Sequence, residues 1–426
     1  MAYEWHMHDP HPVRLVVEDD YRRSRLTVFF RLLLAIPHII WFFLWTVLVV
    51  ITAVVNWLIS IFTGKPPRGL HGLMCSYVRY QAHLGAYLAL VGNPYPGFVG
   101  EAGEYPIDIR LPDEPVAQRR WTILIRVVLA IPALIVSGAL AGSTGGSWLA
   151  GGSNRRRTRG LNGGGALLVV CGVLGWFASL AQGRMPKGLR DAGAYAIGYS
   201  AQASAYFLLV TDRYPNADPT EMLLAVTDRP PRHPVRVVGD PYDLRRSRLT
   251  VFFRLLLSIP HLIWLALWGI LAVLAAIVQW FVTLFRGVPA AGLHRFLTRY
   301  VRYRLHVYAY LMLVGNPFPG FTGVAGTYPL DLEVEGPERQ NRWKTGFRIV
   351  LGIPAIVVNA ALSSALFASA VLTWFYALVK GSAPWGLRNL SAYTLRYDAQ
   401  TEAYLLLLTD SYPHASPLEG ADTPNE

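Results

Sequence analysis

Long apolar runs recur four times along the chain, and each contains an arginine six residues before a proline. The four runs read VFFRLLLAIP at 28–37, ILIRVVLAIP at 123–132, VFFRLLLSIP at 251–260 and GFRIVLGIP at 346–354. Their inner arginines are Arg31, Arg126, Arg254 and Arg348, and outer arginines lie six residues upstream at Arg25, Arg120, Arg248 and Arg342. Repetition at a fixed spacing predicts four copies of one structural unit.

Each unit has the same order of parts. It opens on an alternating stretch typical of a β-strand, at 11–17, 105–111, 233–238 and 328–334. An apolar run of about 37 residues follows, and a glycine–proline break such as GKPPRGL ends it. A mixed helix of about 22 residues, such as 69–91, closes the unit before a turn such as GNPYPGF or TDRYP.

Spacing divides the chain into repeats at 1–100, 101–218, 219–323 and 324–426. Repeats one and three match closely, as do two and four, so a two-repeat module is duplicated in tandem. The second repeat carries a glycine- and arginine-rich insertion at about 142–164, and we expect an acidic, disordered tail from about 415.

The composition favours a membrane protein over a soluble helical protein. The chain is 53% hydrophobic and only 15% charged, with a mean hydropathy of +0.32, whereas soluble domains average about 25% charged residues. The net charge of +12 is almost all arginine, and the cations flank the apolar runs. This placement favours anionic headgroups at a cytoplasmic membrane face over nucleic acid. The N-terminus lacks the pattern of a cleaved signal peptide, so the first apolar run is expected to direct insertion.

The order strand, [FL]R-x-[LV]-L-x-IP, apolar run, GL and a closing AYL-x-LVGNPYPGF or AYFLLVTDRYP resembles the bacterial family called domain of unknown function 4389. The resemblance covers essentially the whole chain as four tandem copies, with the insertion in the second as its departure. It implies a membrane protein and no assigned activity.

A helix of 37 residues is about 55 Å long, while the hydrocarbon core of a bilayer is about 30 Å thick. The insertion cannot lie among lipid tails. We therefore predict a hairpin of two spans per unit and eight spans in all, with turns at the insertion and at Thr46–Val47, Gly269–Ile270 and Ser363–Ser364. Strands, repeat junctions and both termini would then be cytoplasmic. The RRRTR sequence at 155–159 would lie outside, against the positive-inside rule, so shallow hairpins and single spans stay open.

Two sets of residues are candidates for a site. The eight arginines either anchor helices by reaching headgroup phosphates or bind an anionic lipid or permeating anion between helices. The closing helices carry tyrosines seven residues apart, which share one face. These are Tyr80, Tyr87, Tyr199, Tyr206, Tyr303, Tyr310, Tyr397 and Tyr404. We expect this stripe at headgroup level on an interfacial helix, most basic in the third repeat (Arg295, Arg299, Arg302 and Arg304). In the alternative it faces the inner arginines and lines a path.

The remaining candidates have local interpretations. His38 and His261 occur in two repeats only, so we expect local packing or hydrogen bonds rather than a metal site. Asp108 and Asp331 replace Arg14 and Arg236 on the strands, which suits charge pairing across a small four-stranded sheet or two solvated faces. Cys75 and Cys171 form no metal or disulfide pattern.

We find no catalytic motif and expect no cofactor and no metal. The sequence favours a mainly α, multi-pass membrane protein that is not an enzyme. It would act as a scaffold or platform in the cell membrane that binds anionic lipid or a membrane protein partner. The alternative is a pseudo-symmetric transporter or channel for an anionic or lipid-like solute.

Overall fold

The computed structural model describes residues 11–142, 166–226, 228–239 and 244–420. Four short strands lie at β1 Arg14–Val17, β2 Ile107–Arg110, β3 Val235–Gly239 and β4 Leu330–Val334. The helices of the first two repeats are α1 Arg25–Leu34, α2 Ile36–Thr63, α3 Arg68–Leu88, α4 Arg120–Leu124, α5 Arg126–Ala141, α6 Leu167–Gln182, α7 Lys187–Phe207 and α8 Pro219–Met222. Those of the last two are α9 Arg248–Arg286, α10 Ala291–Leu311, α11 Arg342–Gly346, α12 Arg348–Lys380 and α13 Trp385–Leu405.

The apolar runs of repeats one, three and four are continuous through the predicted turns, so the hairpin prediction is wrong for these repeats. α2, α9 and α12 each pass through the position where a turn was expected. Thr46 and Ser363 lie within these helices, and each hydroxyl is satisfied without a turn because it donates to the carbonyl four residues earlier, on Phe42 and Asn359. The turn predicted in the second repeat falls on residues 143–165, outside the described residues.

Three helical stretches, Arg25–Thr63, Arg248–Arg286 and Arg348–Lys380, are long and apolar enough to cross a membrane. The first consists of α1 and α2, which meet at Ala35 just before Pro37. The second repeat has two shorter apolar helices, α5 and α6, on either side of residues 143–165.

The long helices of repeats one and three each bury one narrow stripe against the rest of the protein, and α12 buries a wider one. In α1 and α2 the buried positions include Val28, Arg31, His38, Val49 and Asn56, a spacing that follows one helix face. The other faces expose leucine, isoleucine, valine and phenylalanine along the whole length. The polar side chains of these helices therefore point inward while an apolar surface points out.

The closing helices α3, α7, α10 and α13 form a central layer; α7 and α13 are mostly buried, while α3 and α10 expose residues near their starts. On α3, Tyr77 and Tyr80 contact the long helix, through Thr46 and His38. The opposite face of α3 contacts the strand segment, where Arg79 donates to the carbonyl of Ile109. The molecule thus has three layers: long apolar helices, central helices, and strands.

The strands form two separate antiparallel pairs, β1 with β2 and β3 with β4, instead of one four-stranded sheet. A cross-strand ion pair joins Arg236 to Glu333. The predicted partners Asp108 and Asp331 instead bind the central helices, through His83 and His306. Each pair lies across the two closing helices of its module, with β2 on α3 and β1 on α7 in the first, and β4 on α10 and β3 on α13 in the second.

Repeats one and two interlock through reciprocal contacts. The indole of Trp57 donates to the carbonyl of Ile123 at 2.8 Å, and that of Trp176 donates back to Val28 at 3.0 Å. Repeats three and four repeat both bonds, from Trp280 to Thr345 and from Trp374 to Val251. Because each repeat completes its neighbour, the structural unit is the two-repeat module that the spacing predicts.

The two modules meet where α5 and α6 pack on α12, with Val136 and Leu140 in the same core cluster as Val358 and Leu362. The end of the chain contributes as well: the hydroxyl of Ser416 donates to Asp191 at 2.7 Å. Residues 415–418 are buried, so the prediction of a disordered tail from about 415 is wrong up to this point, and 421–426 lie outside the described residues.

Candidate functional site

Each inner arginine lies at the end of a closing helix, where it is 1% exposed. Arg31 donates through Nη1 to the carbonyls of Tyr87 and Gly92, at 2.7 and 3.1 Å, and through Nη2 to the carbonyl of Asn93 at 3.1 Å. Carbonyls at a helix C-terminus lack intrahelical donors and carry a partial negative charge. The arginine supplies both the donors and the positive charge.

The same arrangement recurs with small changes. Arg254 donates to the carbonyls of Tyr310 and Gly315 at 2.7 and 3.1 Å. Arg348 donates to the carbonyl of Thr409, the side chain of Gln340 and the carboxylate of Asp410. Three of the four inner arginines are therefore held by several acceptors of the protein itself.

Arg126 in the second repeat is different. Its Nη2 donates to Gln118, and its Nε has no hydrogen-bond partner among the described residues, as in the other three inner arginines. Its Nη1 is unpaired as well in the described part of the chain, and this donor alone distinguishes it from them. Asp212, the counterpart of Asp410, attracts it electrostatically but forms no hydrogen bond with it among the described contacts. Among the described contacts, Arg126 thus lacks the Nη1 bond that its counterpart Arg348 makes to the carbonyl of Thr409.

The turn after each closing helix places a leucine in the left-handed region: Leu90, Leu209, Leu313 and Leu407 have φ near +60°. Such a conformation is rare for leucine, and a side chain holds each leucine carbonyl. Arg23 donates to the carbonyl of Leu90 at 2.8 Å, and Gln118 to that of Leu209 at 2.8 Å. These residues were not among the predicted site residues, although Arg23 and Arg246 lie at the same position of repeats one and three, in the contexts YRRSR and LRRSR.

The tyrosine stripe is buried, so the prediction that it lies at headgroup level is wrong. All eight tyrosines are at most 4% exposed. The second of each pair lies under an inner arginine, with the guanidinium carbon 4.0 to 4.4 Å from the ring centroid, in Tyr87, Tyr206, Tyr310 and Tyr404. The stripe therefore faces the inner arginines. In Arg31 and Arg254 the same guanidinium makes the cation–π contact and binds carbonyls at the helix end.

The first tyrosine of repeats one and three contacts the histidine, as expected from local hydrogen bonding. Nδ1 of His38 lies 2.8 Å from the hydroxyl of Tyr80, and Nδ1 of His261 lies 2.8 Å from that of Tyr303. Each histidine also stacks on an aromatic ring of the closing turn, Phe98 or Phe321. These contacts bind the long helix to its closing turn.

The polar residues between the tyrosines hold the strands. His83 lies 2.9 Å from Asp108 on β2, and Gln202 donates to the carbonyl of Val13 beside β1. Burial alone would raise the pKa of Asp108, but hydrogen bonds from His83 and from the backbone of Gly103 and Ile109 hold this pKa below its usual value. The strand layer is thus attached to the central helices by buried polar contacts.

His11, which precedes β1, makes the stability of the folded protein depend on pH. Its Nδ1 accepts from the backbone N–H of Val13, and burial lowers its pKa from 6.5 to about 4. The unfolded chain therefore takes up a proton near pH 6.5 that the folded protein does not, so stability falls as pH falls through this window.

We expect His11→Asn, which keeps an acceptor but does not titrate, to reduce the stability lost between pH 7 and pH 5 by about 2 kcal/mol. Chemical unfolding of the purified protein at both pH values measures this difference. An unchanged pH slope in the variant would show that His11 titrates alike in both states.

Four equivalent positions differ in chemistry between the two modules. In the first, Gln81 contacts Ser204 at 3.3 Å, and Ser137 contacts Ser200 at 3.2 Å. In the second module these positions hold a charged network of Arg304, Asn359, Asp398 and Glu402. Burial raises the pKa of Glu402 to about 7, although Arg304 opposes the shift.

The smaller side chains of the first module border a cavity of about 550 Å³ between α2 and α5, with α3 and α7 as its floor. Its lining is mostly apolar, including Val49, Ala53 and Phe207, and Arg126 lies among the lining residues. Val54 and Val127, also in the lining, are 54% and 50% exposed, so the cavity opens on the apolar outer face.

The outer arginines Arg25, Arg120, Arg248 and Arg342 are exposed at the starts of their helices. Of the basic residues predicted on α10, Arg295 and Arg299 are exposed, while Arg302 and Arg304 bind Asp331 and Asp398. Among the described residues, no group of three or more histidine, cysteine or acidic side chains could hold a metal ion.

Comparison with known proteins supports the repeat structure. A family model described as Domain of unknown function (DUF4389) matches residues 25–99, 161–217, 248–322 and 342–416. No curated protein and no solved structure matches the chain. The four matches cover more than half of the chain and confirm the resemblance, and the chain therefore belongs to the DUF4389 family as four tandem copies.

Proposed function

We propose that this chain is a non-enzymatic membrane scaffold whose long helices lie in the plane of one leaflet. Its strand layer would face water as a platform for a partner, on the cytoplasmic side of the cell membrane. The observation that carries this proposal is the course of residues 92–118, which run along the central helix from one end to the other.

Contacts trace that course. At one end, the carbonyls of Gly92 and Asn93 accept from Arg31. In the middle, Arg79 donates to the carbonyl of Gly100 at 3.2 Å. At the far end, the backbone N–H of Gln118 donates to the carbonyl of Gly64, just beyond α2.

Exposed charges accompany this segment at every level: Glu101, Glu104, Arg110, Asp113 and Glu114. If α2 crossed the bilayer, irregular backbone and these charges would lie at hydrocarbon depth, where lipid-exposed loops do not occur and charges are costly. With the helices in the membrane plane, the strand layer stays in water and only the apolar face enters lipid.

Helix length and charge agree with this arrangement. α9 has 39 residues and is about 58 Å long, nearly twice the hydrocarbon thickness of about 30 Å. An interfacial helix buries its apolar face by about 5–10 Å and can be of any length. The exposed outer arginines at the helix starts would then lie at headgroup level, where each basic residue contributes about 1 kcal/mol of attraction to anionic lipid.

Thiol accessibility in liposomes tests the proposal. Single cysteines are placed at Ser24 and Lys65, at the two ends of the first long helix, at Val47 on its outer face, and at Glu101 in the strand layer. The background is Cys75→Ala with Cys171→Ala, since both thiols are buried.

We expect a membrane-impermeant reagent to label positions 24, 65 and 101 from the same side and position 47 from neither side. Labelling of 24 and 65 from opposite sides would show a crossing helix. Labelling of position 47 from the side opposite to position 24 would support the full hairpin predicted from the sequence. Either result would overturn the in-plane arrangement.

A further inference from the structure

The cavity between α2 and α5 has the features of a ligand site. Its volume of about 550 Å³ falls in the range of small-molecule sites, which are mostly apolar with few polar groups that fix orientation. The polar groups around it are largely satisfied: Thr46 with Tyr77, Ser137 with Ser200, and Ser204 with Gln81. Arg126 is the exception.

A buried guanidinium with unused donors is costly to leave unpaired. Arg31 and Arg254 use Nη1 for two backbone carbonyls each, and Arg348 uses it for one. Arg126 lines the cavity, and its Nη1 has no hydrogen-bond partner among the described residues. The cavity therefore offers an apolar volume bordered by an arginine that has an unpaired Nη1 donor among the described residues.

We infer that this cavity binds the acyl chain of an anionic amphiphile, whose carboxylate or phosphate head accepts hydrogen bonds from Arg126. The chain would lie among Val49, Ala53 and Phe207. Entry would be from the apolar outer face, where Val54 and Val127 border the opening. The inference rests on the proposed function only in taking that face to be the one in lipid.

The second module argues for one such site per chain. There Arg304, Asp398 and Glu402 occupy the positions of Gln81, Ser200 and Ser204, and they are joined by ion pairs. Two carboxylates at this wall disfavour both an acyl chain and an anionic head. The corresponding arginine, Arg348, is already bound to Asp410. The first module thus has an open cavity where the second module has a network of ion pairs.

Ligand binding to the purified protein, delipidated and held in amphipol, tests this inference. The probes are radiolabelled palmitate and phosphatidylglycerol, with hexadecanol as the uncharged chain and inorganic phosphate as the free anion. We expect saturable binding of palmitate or phosphatidylglycerol at one per chain. Which of the two binds identifies a single-chain or a two-chain ligand. Hexadecanol should bind at least about tenfold more weakly, and phosphate should not compete.

Two variants and a matched control complete the test. Ala53→Trp should abolish binding by filling the cavity, while Ala276→Trp, at the equivalent position of the second module, should leave it unchanged. Arg126→Gln should weaken binding of the anion about 10- to 100-fold and leave hexadecanol unaffected.

Equal binding of palmitate, phosphatidylglycerol and hexadecanol, or full binding by Ala53→Trp, would overturn the inference. Because this assay uses no bilayer, its failure is independent of the labelling result in liposomes.

Discussion

Replacing Arg31 with alanine is expected to lower the free energy of unfolding by about 4 kcal/mol. The change removes the side-chain donors of the carbonyls of Gly92 and Asn93, and it leaves the carbonyl of Tyr87 with backbone donors only. Each unsatisfied buried carbonyl costs about 1–3 kcal/mol, and contact with the ring of Tyr87 is lost as well. Removal of the charge itself recovers part of this cost, because a buried cation is expensive.

Arg126→Ala provides the matched comparison. This arginine donates to one side chain and to no backbone carbonyl among the described contacts, so we expect a loss of only about 1–2 kcal/mol. Arg254→Ala should behave like Arg31→Ala, because it has the same carbonyl partners. Denaturant unfolding of lipid-free protein measures all three. Equal losses for Arg31 and Arg126 would contradict the capping role.

Gly100→Ala is expected to destabilise the protein by about 3 kcal/mol. Gly100 has φ +71°, and an added Cβ would lie 2.5 Å from the carbonyl oxygen of Ser76 and 2.7 Å from the backbone nitrogen of Tyr80. Neither backbone atom can move without bending α3. Left-handed conformation costs about 1–2 kcal/mol for a residue with a Cβ, and overpacking adds about 1–3 kcal/mol.

Gly103 isolates the backbone part of this effect. It has φ +76° but nothing within 4 Å of an added Cβ, so Gly103→Ala should cost only about 1 kcal/mol. The same contrast is expected between Gly323 and Gly326 in the third repeat, where Gly323 again approaches a helix carbonyl, that of Arg299. Thermal unfolding of the four variants measures it. Equal shifts for Gly100 and Gly103 would mean that the segment does not lie against α3.

The failure of the hairpin prediction has a physical cause. A helix of 37 residues is longer than the bilayer is thick, but this mismatch requires a turn only if the helix crosses the bilayer. Crossing was assumed from hydropathy. Periodicity in the sequence was informative: Val28, Arg31, His38 and Val49 fall on one face, as expected for a helix that lies against a protein surface along its whole length. The insertion suggested a turn, but a turn in one repeat says little about three repeats that lack it.

The tyrosine stripe shows a second limit. Seven-residue spacing correctly predicts that Tyr80 and Tyr87 share a helix face. Whether this face meets headgroups or protein depends on what packs against it. Arg31 on α1 contacts the ring of Tyr87, and the turn after α3 lies over the end of that helix. The face is therefore buried.

By itself the sequence determined the four repeats, their pairing into two modules, the strands, the closing helices and the apolar character of the long helices. These features follow from local spacing and from side-chain chemistry that repeats along one chain. Only the tertiary structure decided that three of the four inner arginines bind carbonyls at the ends of closing helices and that residues 92–118 run the length of α3. It also decided that Arg126 has an unpaired donor among the described residues, beside a cavity. Such features depend on which carbonyls and side chains meet across more than 50 residues of chain, and no local pattern records those distances.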